Sequence, residues 1–120
     1  MKYISNLKKK NKAGENMKEY KEIFRLKEML EDAGIPFEFE DRSILQADFQ
    51  SYQIGFPVIN PMHEMVCSVI QGFGTYGADV DKLEIMGLLT EKELAIDSVR
   101  GWLTAENVFN RIEAYYKTHK

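Results

Sequence analysis

The segment Gly72-Phe73-Gly74-Thr75-Tyr76-Gly77 matches the spacing G-x-G-x-x-G. In dinucleotide sites such glycines let the backbone approach a pyrophosphate at a helix N-terminus. Here the segment follows an expected strand and precedes an expected helix. Three features oppose phosphate chemistry. Asp79 and Asp81 open the following element and repel a phosphate. Two aromatic side chains, Phe73 and Tyr76, occupy the loop. No apolar strand follows the expected helix, so the βαβ unit that gives the motif its meaning is missing. A contact with another protein is the favoured reading, made by Phe73 and Tyr76 with Asp79 and Asp81 facing a neutral or basic partner. Aromatic rings bury much apolar area at small entropic cost. A third reading turns both rings inward to complete a core.

Other reactive side chains are sparse. Glu38 and Glu40 could form a carboxylate pair for acid–base chemistry. The alternation Phe37-Glu38-Phe39-Glu40 favours the solvent face of an edge strand, where charge discourages aggregation. Cys67 and His63 are too far apart along an extended strand for an easy nucleophile–base hydrogen bond, so Cys67 reads as a small core residue. Two histidines and one cysteine do not make a zinc site. No Ser-His-Asp arrangement, P-loop or EF-hand spacing occurs. The expectation is therefore no catalytic residue, no cofactor and no metal.

Composition bounds the rest. A chain of 120 residues with 44% hydrophobic and 12% aromatic residues supports one folded domain. A single cysteine excludes an internal disulfide framework and suits a reducing compartment. No apolar run reaches membrane-spanning length and no signal-peptide pattern follows the first lysines, so a cytoplasmic protein is expected. Residues 1–16 carry five lysines against one glutamate, which leaves 11 basic and 18 acidic residues in 17–120, a net charge of −7. An acidic body repels nucleic acid. Residues 1–16 read as a basic, disordered tail or as an upstream extension of the reading frame. In the second case Ala13-Gly14-Glu15 would be encoded by a ribosome-binding sequence and Met17 would be the start.

The elements that must position these residues follow from periodicity. Ile23, Leu26, Leu30 and Ala33 predict a helix from about Met17 to Ala33, ended by Gly34 in a left-handed cap and by Pro36. Phe37–Glu40 predicts a strand. Tyr52–Val58 alternates, and Met65–Gln71 is apolar on both faces; the two make a hairpin through Asn60-Pro61-Met62-His63. Pro57 implies an edge position for the first of them. A second helix is expected from Asp79 through Leu89. A short one follows after the capping box Thr90-Glu91-Lys92-Glu93. Ala95–Gly101 reads as a link, and Thr104 caps the last helix. Ile54, Phe56, Val69, Ile70, Leu30 and Phe109 are the expected core. The predicted fold class is α+β, a three-stranded antiparallel sheet packed by an N-terminal helix and two to three C-terminal helices.

Three stretches, FRLKEMLEDAGIPFEFEDR (24–42), KLEIMGLLTEKE (82–93) and DSVRGWLTAENVFNRI (97–112), together resemble a group of small uncharacterised phage and prophage proteins of Gram-positive, largely gut, bacteria. The resemblance implies an accessory protein of phage or prophage that binds a host or phage protein, host-defence inhibition included. It carries over no catalytic residue. A homodimer is left open, and nucleic acid is disfavoured as a partner for 17–120. Two alternatives stand beside this reading. One is a nucleic-acid module, since the order helix, three strands, helix is similar to a double-stranded-RNA-binding domain. That family's lysine cluster is replaced here by Thr104, Ala105 and Glu106. The other is nucleotide binding through the 72–77 loop.

Overall fold

The computed structural model describes residues 19–119. The expectations for residues 1–16 and for a start at Met17 lie outside the described residues. In chain order the elements are α1 (Glu22–Ala33), β1 (Glu38–Asp41), β2 (Ser51–Phe56), β3 (Cys67–Gly72), β4 (Leu83–Met86), α2 (Glu91–Leu94), β5 (Val99–Leu103) and α3 (Ala105–His119). Single 3-10 turns lie at Leu45–Ala47, Met62–Glu64 and Ala78–Val80. The strands form one antiparallel sheet in the order β1-β2-β3-β4-β5, each pairing with its neighbour in sequence.

The α+β class stands, but the sheet has five strands and not three. The expected helix from Asp79 to Leu89 is a 3-10 turn followed by β4. Val80, Leu83 and Met86 recur at helical spacing, yet Leu83 and Ile85 also alternate with Glu84 and Met86. The alternation wins because Leu83 and Ile85 complete the sheet's buried face. Asp81, in the left-handed region at φ 56°, stops the turn before it can propagate. The expected link Ala95–Gly101 contains the start of β5. With five strands between the first and last long helices, the order similar to a double-stranded-RNA-binding domain is not kept. Pro57 lies just past the end of β2, which is paired on both sides and is no edge.

Register fixes the two faces. Phe39, Ile54, Val69 and Ile85 form one transverse row, and the last three are fully buried. Phe56, Cys67, Leu83 and Leu103 extend this face, and Ile23, Leu26 and Leu30 of α1 and Val108 and Ile112 of α3 close over it. Of the expected core, Leu30, Ile54, Phe56 and Val69 are buried. Ile70 is half-buried because it pairs with Gln53 and Glu84 on the opposite face. Phe109 is half-buried at the margin of the core.

Local signals at helix ends hold. Gly34 adopts φ 69° and caps α1. Thr90 and Glu93 form a reciprocal capping box, and Thr104 Oγ1 accepts the Asn107 N–H at 3.1 Å. No helix among the described residues is long and apolar enough to cross a membrane.

Candidate functional site

The loop between β3 and β4 folds back toward β5, and its last glycine serves that approach. Gly77 sits at φ 94°, and a Cβ there would lie 2.8 Å from the Trp102 nitrogen. A Cβ on Gly101 would overlap the Tyr76 side chain and backbone. Trp102 N–H donates to the Tyr76 carbonyl at 3.3 Å. The last glycine of the G-x-G-x-x-G spacing thus marks a tight crossing of backbone over strand. Five N–H donors of residues 72–78 are engaged within the fold. Gly72 N–H donates to Thr75 Oγ1, and Tyr76 N–H to Glu84 Oε1 at 2.8 Å. Phe73, Thr75 and Ala78 donate to backbone carbonyls. A phosphate cradle needs such N–H groups directed outward at a helix start, and the element that follows is a three-residue 3-10 turn.

The approach produces a stacked aromatic pair. Tyr76 and Trp102 lie with ring centroids 5.6 Å apart and planes 5° from parallel, yet Tyr76 is 48% and Trp102 60% exposed. Two features of β5 aim Trp102. Leu83 pairs with Leu103 and Ile85 with Arg100, so three steps on β5 face two on β4. This is a β-bulge, a device that re-aims side chains. Trp102 itself has φ 57°, a conformation disfavoured for a bulky residue. Beside the pair lies an open hollow of about 310 Å³ lined also by Ile96, Asp97, Val99 and Arg100. Ile96 is 81% exposed. Arg100 Nε stands 3.8 Å from Glu93 Oε2.

The four residues singled out from sequence have different positions. Tyr76 is in this pair. Phe73, also exposed, packs edge-on against Phe49 at 6.1 Å and lines a separate apolar hollow with Ile44, Ala47 and Asp48. Asp79 is exposed on the 3-10 turn. Asp81 Oδ1 accepts N–H groups from Lys21, Glu22 and Gln71, so its carboxylate is engaged inside the fold. Trp102, Arg100, Asp97 and Ile96 escaped the sequence reading. The available signal was the lone tryptophan directly after a glycine.

The other candidate chemistry disperses. Glu38 Oε1 accepts the N–H groups of Ile59 (2.7 Å) and Asn60 (3.2 Å), pinning the β2–β3 connection to edge strand β1. Glu40 pairs with Arg42 at 3.4 Å. Cys67 is 1% exposed in the core, whereas His63 is exposed on the connection. Among the described residues no group of three His, Cys, Asp or Glu could hold a metal ion. What remains is a surface of two rings, an exposed isoleucine and an acidic and a basic side chain. Compared with known proteins, the chain matches no family model, no curated protein and no solved structure.

Proposed function

We propose that the chain is a non-enzymatic accessory protein of phage or prophage origin that acts by binding another protein in the bacterial cytoplasm, and that Tyr76 and Trp102 form the centre of its contact surface. The carrying observation is that a bulge and a left-handed Trp102 hold two large rings together in solvent. A ring turned inward would relieve that exposure; paired outward, the rings are anchors of the kind that dominate interfaces. The excess of 18 acidic over 11 basic residues in 17–120 opposes nucleic acid as the partner. Phage origin rests on the resemblance of the three sequence stretches.

Affinity capture from a lysate of a Gram-positive gut bacterium tests the surface, with mass spectrometry as the readout. The wild-type chain should retain a specific protein. Tyr76→Ser with Trp102→Asn should lose it at an unchanged melting temperature; asparagine tolerates the left-handed backbone. Capture that persists in the folded double variant defeats the surface. Salt-resistant capture of DNA or RNA by a chain beginning at Met17 defeats the protein-binding reading itself.

A further inference from the structure

The chemistry beside the stacked pair narrows what the partner presents. Aromatic rings carry a negative face, strongest for tryptophan. Parallel rings in contact are about 3.5–4 Å apart in height. Centroids 5.6 Å apart therefore mean the Tyr76 and Trp102 rings are slid past one another, which leaves part of each face open. Two carboxylates accompany them. Glu84 Oε1 lies 2.8 Å from the Tyr76 nitrogen, and Asp97 lines the same hollow. Of the neighbouring cations, Arg100 lines the hollow beside Asp97 and Lys82 does not. Arg100 leans on Glu93, and Lys82 Nζ lies 3.5 Å from the Val80 carbonyl oxygen. The wider field has the same sign, with a net charge of −7 over 17–120.

We infer that the Tyr76–Trp102 surface receives a basic, arginine-bearing segment of the partner protein, with a guanidinium lying flat on the open Trp102 face and Asp97 beside it. This deepens the protein-contact reading and rests on it. A guanidinium fits better than an ammonium because it is planar, weakly hydrated and stacks on aromatic faces. The acidic field steers such a segment inward, and the steering weakens with salt.

Trp102 is the chain's single tryptophan, so its fluorescence reports the site directly. The full chain is titrated with acetyl-Gly-Arg-Gly-Arg-Gly-amide, with the same peptide carrying citrulline for arginine, and with a glutamate version. The arginine peptide should give a saturable change. Citrulline keeps the shape without the charge and should bind about 2- to 30-fold more weakly, the range of a cation–π contact. Asp97→Asn, whose side-chain oxygen can still accept the Ser98 N–H, should weaken the arginine peptide and leave the citrulline peptide unchanged. Equal binding of arginine and citrulline peptides, preference for glutamate, or no saturable response overturns the inference. If the peptides fail while capture from lysate still depends on Tyr76 and Trp102, the basic segment falls and the contact surface stands. If capture is indifferent to both rings, both fall.

Discussion

Gln71 Nε2 donates to Asp81 Oδ1 at 2.8 Å, and together the two side chains start a helix that lies about fifty residues earlier in the chain. Gln71 is completely buried and its Oε1 accepts the Ile23 N–H. Asp81 accepts those of Lys21 and Glu22. The first N–H groups of a helix have no partner within it, and Lys21 supplies no side-chain cap. Glu22 in turn accepts the Ala105 N–H at the start of α3 at 2.6 Å. Asp81→Ala should therefore destabilise the chain by about 1–3 kcal/mol, from a lost cap and an unpaired amide. Asp81→Asn keeps an acceptor and suits φ 56°, so it should lose less. Urea unfolding of both variants measures the difference, and an Asp81→Ala chain as stable as wild type would refute the tertiary cap.

The Arg111 guanidinium grips Glu93 through two bonds of 2.9 Å. This, with the Thr90 N–H, lowers the Glu93 carboxyl from 4.5 to about 2. A carboxyl with a depressed folded-state value stabilises fully above its unfolded value and loses that contribution as pH falls. The stability gap between wild type and Glu93→Gln should thus be widest above about pH 4.5 and close toward pH 2. Denaturant midpoints across this range check it; a gap that is flat with pH rules out the ion pair as its source.

Burial pushes the Cys67 thiol up to about 12, and the thiolate is the reactive form. The native chain should resist an aromatic disulfide reagent at neutral pH and react only as it unfolds. Labelling rates followed through increasing urea should track the unfolding curve. Rapid labelling without denaturant would show that the core is open there.

The glycine loop offers a contrast within one motif. Gly74 has open space around its missing Cβ, whereas Gly77 faces the Trp102 backbone. Both have positive φ, which costs an L-residue about 1–2 kcal/mol. Gly74→Ala should stop near that figure, and Gly77→Ala should exceed it because the strand must shift. Saturating nucleotide should leave the melting temperature unchanged in all forms, since a ligand of the folded state would raise it. A nucleotide-dependent rise, lost in Gly77→Ala, would restore the phosphate reading.

The legible parts of this chain were those governed by neighbours in sequence. The stripe Ile23, Leu26, Leu30 placed the body of α1, though it starts at Glu22 and not near Met17; Gly34 ended it, and Thr90 with Glu93 marked α2, because helix faces and caps depend on residues three or four apart. The alternation in Tyr52–Phe56 likewise brought Ile54 to the core. Leu83–Met86 was ambiguous over four residues, and only the empty edge of β3 made it a strand. In β5 a bulge and Gly101 break the alternation that would have revealed it. Of the candidate site, Phe73 and Tyr76 were visible as aromatics on a glycine loop. Their separate surroundings, and Trp102 as the partner of Tyr76, were not. Composition and local periodicity by themselves determined an acidic α+β chain with an amphipathic first helix and a central hairpin. The tertiary structure decided the fourth and fifth strands, the outward pairing of Tyr76 with Trp102 and the inward use of Asp81. Each of these depends on groups ten to sixty positions apart, whose meeting is set by the free energy of the whole sheet and by no local preference.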